Sequence, residues 1–143
     1  MMITTKGRYA LRVMLDLAEH NNGKYIPLKE IAARQEISEK YLESIISVLS
    51  KAEFVIGLRG KGGGYRLAKS PEQYTVDSIL RLTDGSLAPV SCLETPHNTC
   101  SRASSCKTLP MWKKLNNLIH EYLESVTLDQ LLANGDDSDY YVI

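Results

Sequence analysis

The chain has 143 residues, 43% hydrophobic and 24% charged, the balance of one soluble globular domain. No stretch approaches the ~18 consecutive apolar residues of a membrane helix, and Met1 to Arg8 lacks the apolar core of a signal peptide, so a cytoplasmic protein without a membrane segment is expected. The net charge of zero hides a division: residues 1–70 carry 12 Lys and Arg against 7 Asp and Glu, residues 71–143 carry 5 against 10, which points to a front half facing a polyanion.

Thr4 or Thr5 caps a first helix whose Ala10, Val13, Met14, Leu17 and Ala18 recur at helical spacing, and Asn21, Asn22 and Gly23 end it. After Pro27 the spacing predicts a short helix over 28–34 that buries Leu28, Ile31 and Ala32. Gln35, Glu36 and Ile37 then turn the chain into Ser38. Ser38 caps a third helix, about 39–52, whose stripe of Leu42, Ile45, Ile46 and Leu49 packs against the first two.

The other face of this helix carries Lys40, Glu43, Ser44, Ser47, Ser50 and Lys51. Serine is only a middling helix former, so three on one exposed face do not serve helix stability. Short hydroxyls with flanking cations suit a helix laid in a major groove, close to base edges and phosphates. Helix, tight turn and helix is the helix-turn-helix arrangement, although many small helical hairpins look similar.

Next, 54–58 and 65–69 read as two strands joined by Arg59-Gly60-Lys61-Gly62-Gly63-Gly64, a β-hairpin with a basic, glycine-rich tip. Arg59 and Lys61 supply charge for phosphates or a narrow minor groove, and glycine permits close backbone approach. A hairpin directly after a recognition helix is the wing of a winged helix. A nucleotide-phosphate loop is disfavoured, because the run lacks the terminal Lys-Ser/Thr and leads into a strand.

Thr75 then caps a helix through about Thr83, closed by Asp84-Gly85. Cys92, Cys100 and Cys106, the only cysteines, follow within one loop that has no apolar periodicity and includes Pro96. In a reducing cytosol such a group binds metal or does redox chemistry rather than forming structural bridges. Thr108, with Pro110 behind it, starts a long helix to about Ser125. Its Met111, Leu115, Leu118, Ile119, Tyr122, Leu123 and Val126 form a stripe that a domain this small leaves for a partner's helix, with folding back on its own domain as the alternative. Thr127 caps a last short helix with Leu128, Leu131 and Leu132, and an acidic tail (Asp136, Asp137, Asp139) ends in Tyr140, Tyr141, Val142 and Ile143.

Five segments carry a family resemblance: Thr5-Lys6-Gly7-Arg8-Tyr9-Ala10, Met14-Leu15-Asp16-Leu17-Ala18, Pro27-Leu28-Lys29-Glu30-Ile31-Ala32, Ile37-Ser38-Glu39-Lys40-Tyr41-Leu42-Glu43 and Arg59-Gly60-Lys61-Gly62-Gly63-Gly64-Tyr65. The chain resembles the IscR-type winged-helix regulators, the bacterial superfamily that also contains NsrR and CymR. The resemblance implies a mainly α fold with a small β-hairpin, as a winged helix-turn-helix over 1–84, a cysteine-containing sensor loop over 85–107, and a long dimerisation helix with a C-terminal tail over 108–143. It implies a homodimer that binds a partly palindromic double-stranded DNA operator.

Residue by residue, Tyr41, Glu43 and Ser44 fall where the family's recognition helix meets bases and backbone, and Arg59, with Gly60 and Lys61 beside it, where the wing enters the minor groove. Glu43 makes sense there as an acceptor for a cytosine N4, or otherwise as a surface acid pairing with Lys40. Ser38 and Lys40 are the phosphate contacts.

The resemblance also implies that Cys92, Cys100 and Cys106 hold an iron-sulfur cluster, 2Fe-2S ahead of 4Fe-4S, with an apo form allowed. IscR-type members complete the site with a histidine three residues after the third cysteine, where this chain has Leu109, and NsrR-type members with an aspartate early in the first helix, where it has Arg8. The first cysteine gap is seven residues where the family commonly has five, and it contains Glu94 and His97 as fourth-ligand candidates. Zinc, a bare thiol switch and a cluster-carrying module without DNA binding stay open beside the cluster. An enzyme is not expected: His20, His97 and His120 are scattered, and no nucleophile-base signature accompanies any cysteine.

Overall fold

The computed structural model describes residues 3–98 and 100–134; the acidic and aromatic tail lies outside them. Six α-helices and one hairpin follow in the order α1 (Thr5–Glu19), α2 (Leu28–Gln35), α3 (Glu39–Lys51), β1 (Val55–Leu58), β2 (Gly64–Leu67), α4 (Val76–Asp84), α5 (Leu109–Ser125) and α6 (Leu128–Asn134). This is the mainly helical winged helix that the sequence predicts.

The caps explain the starts. Thr4, Ser38 and Thr75 have extended backbone, and their hydroxyls accept from the N–H groups of Gly7, Tyr41 and Ser78 at 3.0, 3.2 and 3.1 Å. Glu36 ends α2 in the left-handed region, φ 54°, which sets the tight turn into α3.

Ala10, Val13, Met14 and Leu17 of α1 meet Ile31 of α2 and Leu42, Ile45, Ile46 and Leu49 of α3 in one core that excludes water. A charged lock reinforces it. Asp16, 1% exposed, accepts from Arg34 Nε and an Arg34 NH2 group at 3.0 and 2.8 Å and from Gln35 Nε2 at 2.8 Å, fastening α2 to α1. The bond to Asp16 raises the Arg34 guanidinium above its ordinary pKa. Periodicity carried no sign of this lock, because an acid at position 16 looks like any surface charge.

In the wing, β1 and β2 pair antiparallel, Val55 opposite Leu67 and Leu58 opposite Gly64. Ile26 adds a bridge on the far side of β2, exchanging both backbone hydrogen bonds with Tyr65 at 2.8 and 2.9 Å. Gly64 makes that approach possible: its φ is 149°, and a Cβ there would sit 2.2 Å from the carbonyl oxygen of Ile26. Tyr74 clamps the base of the hairpin, donating to the Phe54 carbonyl at 2.7 Å and accepting from the Lys69 N–H at 2.9 Å. Burial of the ring pushes the Tyr74 phenol up from its ordinary value.

Beyond the wing, the stripe predicted on α5 divides. Leu123 and Val126 pack with Val76, Leu80 and Leu87 in a second, smaller cluster, while Met111, Leu115, Leu118 and Tyr122 stand 54, 38, 52 and 68% exposed. The chain then returns. Val76 N donates to Val126 O, Leu128 N donates to Tyr74 O, and Leu128 is fully buried in the main core. One predicted cap is corrected: Thr108 is the residue before α5, but its hydroxyl caps nothing. Pro110 removes one of the N–H groups a cap would satisfy, and the hydroxyl turns to Cys106 Sγ at 3.3 Å instead.

Candidate functional site

The recognition face is built on α3. Ser38, Lys40, Tyr41 and Ser44 line one open concavity of about 360 Å³, so four of the predicted DNA-facing residues come together. Each has a local reason for its pose. The Ser38 oxygen is engaged as the cap, which leaves its proton to donate outward at the positive end of a thirteen-residue helix, a favourable place for a phosphate. Ser44 donates back to the Tyr41 carbonyl at 2.6 Å and so offers lone pairs rather than a proton to its surroundings. Tyr41 is half-buried, held edge-on to Tyr9 with ring centres 5.9 Å apart, and Arg12 stacks on the other ring's face at 4.8 Å.

Glu43 is exposed, and the Lys40–Glu43 pair is not among the ion pairs formed by the described residues. Its carboxylate is therefore uncommitted, as a base-reading acceptor must be. Arg59, Gly60 and Lys61 lie exposed at the wing tip, where Gly60 and Gly62 take positive φ of 90° and 76° and the Gly63 N–H closes the turn on the Gly60 carbonyl at 2.9 Å. Neither cation has an acidic partner among the described residues. Sequence reasoning missed a further basic group near the wing: Arg66 lies over the Tyr25 ring at 4.7 Å and donates to the Gly23 carbonyl. Its alternation within a strand gave the only signal.

The cysteine loop leaves α4 at Gly85, makes a short 3-10 turn over Ser91–Leu93 and re-enters helix at Leu109. Its Leu93 to Pro96 segment borders a cleft of about 450 Å³ whose other walls include Arg81 of α4 and Asn116 of α5. All three thiols are free; Cys92 and Cys106 are half-buried and Cys100 is exposed. The Thr108 hydroxyl beside Cys106 favours the thiolate and lowers that thiol below its ordinary pKa.

Three soft donors on one loop match iron-sulfur or zinc chemistry, and so the donor set fits three corners of such a site. The thiols are not drawn into one ligating group, however: among the described residues the one set of three or more such side chains with ligand atoms within 4.8 Å of one another is Asp77, His120 and Glu124. A bound group would have to gather the loop. Of the fourth-ligand positions, Leu109 is buried, 8% exposed, and offers no donor atom, and Arg8 bonds Thr5 at 3.2 Å. Glu94 and His97 are both exposed on the loop itself.

Comparison with known proteins agrees with this architecture. The family model described as "Rrf2: Iron-dependent Transcriptional regulator" matches residues 3–134. The HTH-type transcriptional regulator IscR of Sodalis glossinidius is 38% identical over 139 residues, covering 97% of this chain and 83% of the relative. Among solved structures, CymR, the global cysteine regulator of B. subtilis, superposes with a TM-score of 0.78 at 33% identity over 95% of this chain and 99% of its own. IscR of T. potens superposes with 0.75 at 37% identity, covering 95% and 89%. No helix among the described residues is long and apolar enough to cross a membrane. With its helix-turn-helix, its wing and a match over nearly its whole length, the chain belongs to the Rrf2 family, whose members are transcriptional regulators and not enzymes.

Proposed function

We propose that this chain is a homodimeric, operator-binding regulator whose cysteine loop reports iron-sulfur cluster status to the DNA-binding module. The observation that carries the reading is the position of the loop: it connects α4 of the winged helix to α5, and its Leu93 to Pro96 segment borders the same cleft as Arg81 of α4 and Asn116 of α5. The dimer reading rests on Met111, Leu115, Leu118 and Tyr122, whose spacing of four, three and four is the seam of a two-helix coiled coil.

In this reading Ser38 and Lys40 position the helix on phosphates, Tyr41, Glu43 and Ser44 meet bases and backbone in the major groove, and Arg59, Gly60 and Lys61 carry the wing to the minor groove. Cys92, Cys100 and Cys106 would hold the cluster, which supplies an oxidant-labile redox centre when bound. The loop residues do the rest: ordering them against Arg81 and Asn116 fixes α5 relative to α4, and so selects the dimers whose two recognition helices reach successive major grooves.

The test compares holo and apo protein, and a Cys92→Ala variant, in operator titrations at fixed salt, with iron and sulfide content measured on protein purified without oxygen. A tenfold or larger difference in affinity, or a changed operator preference, is the expected outcome. Equal affinity and equal preference in all three forms would sink the reading. A thiol switch is the second reading, carried by the Thr108 hydroxyl 3.3 Å from Cys106 Sγ, a contact that favours the thiolate; it requires iron-free protein whose DNA binding still responds to oxidants.

Base reading by Glu43 has its own measurement. Changing Glu43→Gln keeps the shape but weakens acceptance from a cytosine N4, so discrimination at one operator base pair is expected to fall by ~1–3 kcal/mol while binding to unrelated DNA holds or rises. A uniform loss over all sequences would instead make Glu43 a structural residue.

A further inference from the structure

The junction of α4 and α5 holds a cluster that neither the DNA face nor the cysteine loop uses. Asp77, in the first turn of α4, is 2% exposed. Its Oδ2 accepts from Arg81 Nε at 2.8 Å and stands 3.2 Å from His120 Nδ1, while its Oδ1 is buried with no hydrogen-bond partner. His120 and Glu124 follow one turn apart on α5, and Glu124 Oε2 accepts from the Thr75 hydroxyl at 3.4 Å. One ligand atom from each of Asp77, His120 and Glu124 lies within 4.8 Å of the others.

Two features of this arrangement call for a cation. A buried carboxylate oxygen without a donor is costly, and native structures rarely leave one. The charges are also unequal: two carboxylates face one guanidinium, and Arg81 is a long arm with 42% of its side chain exposed. Arg81 Nε engages only Oδ2 and its NH2 group reaches His120 Nδ1 at 3.3 Å, so a metal taken up here displaces that long, partly exposed arm from the imidazole while Oδ1 still lacks a donor of its own.

We propose that Asp77, His120 and Glu124 form a binding site for a divalent transition metal of the zinc class, joining α4 to α5. A neutral imidazole suits ions of the zinc class, and with two carboxylates it makes three ligands that leave one position of a four-coordinate ion for water. Calcium and magnesium prefer oxygen ligands throughout, which makes the imidazole a poor choice for them. The i, i+4 spacing of His120 and Glu124 places both on one helix face, so a metal there fixes the base of α5 by two turns at once. Its donor atoms share nothing with the thiols, and the two sites are separable.

The experiment uses the full chain with Cys92, Cys100 and Cys106 changed to serine, so that no thiol competes, titrated with zinc sulfate against a chromophoric chelator. One zinc per chain is expected. In the same background, His120→Ala and Glu124→Gln each weaken binding at least tenfold, and zinc raises the melting temperature of the parent but not of these variants. Both side chains lie on the surface, and circular dichroism verifies the fold; Glu124→Gln serves alone where His120→Ala fails to fold. No uptake at micromolar zinc, or uptake unchanged in the variants, overturns the proposal.

Discussion

Replacing Leu118 with glutamate is expected to convert the protein to a monomer and to lower operator affinity by roughly 10²- to 10⁴-fold, the gain that a second linked module supplies. Leu118 lies between Leu115 and Tyr122 on the proposed seam, 52% exposed, and outside the α4 packing made by Leu123 and Val126. Around a two-fold axis each substitution places two carboxylates against each other and against leucine, so one change strikes twice. The isolated fold should hardly notice, because the side chain contributes little to either core. Sedimentation at micromolar concentration, circular dichroism and operator titration together decide it. A folded variant that remains dimeric and binds its operator as before would remove α5 from the dimer interface.

Asp16→Ala is expected to cost about 3 kcal/mol of stability, the lower end of what breaking a buried ion pair costs. The lower end applies because Arg34 keeps a third of its side chain in water and rehydrates in part. The variant loses three hydrogen bonds from Arg34 and Gln35 and leaves a cavity beneath α2. For a chain of this length the melting temperature falls by roughly 10 °C. A double-mutant cycle with Arg34→Ala should give strongly non-additive losses, since either change alone orphans the other partner. Losses that add within ~0.5 kcal/mol would show that the lock contributes nothing as a pair.

Much of the scaffold was legible because it follows from local rules. Thr4, Ser38 and Thr75 announce helix starts by cap chemistry, the Leu42, Ile45, Ile46 and Leu49 stripe announces a buried face, and the glycine-rich basic run announces a hairpin. What escaped depends on partners distant in sequence. Asp16 lies off the apolar stripe of α1 and reads as a surface acid until Arg34 arrives; Tyr74 reads as one more aromatic until its hydroxyl finds both ends of the hairpin. The α5 stripe was seen, yet periodicity cannot say which apolar residues meet the protein's own core, and here Leu123 and Val126 do while Leu118 does not. His120 looked isolated for the same reason, since Asp77 lies 43 positions earlier.

The return of α6 to the main core has a consequence for the chain between α4 and α5. With Leu128 seated among α1 residues and Val76 tied to Val126, both ends of the excursion are anchored by the module itself. Its interior is thus a tethered loop whose length is nearly free in energy: two additional residues in a span of this size raise the closure entropy by less than ~0.2 kcal/mol. The seven-residue spacing between Cys92 and Cys100 is accommodated on those terms, and the loop can change length without renegotiating how the domain folds.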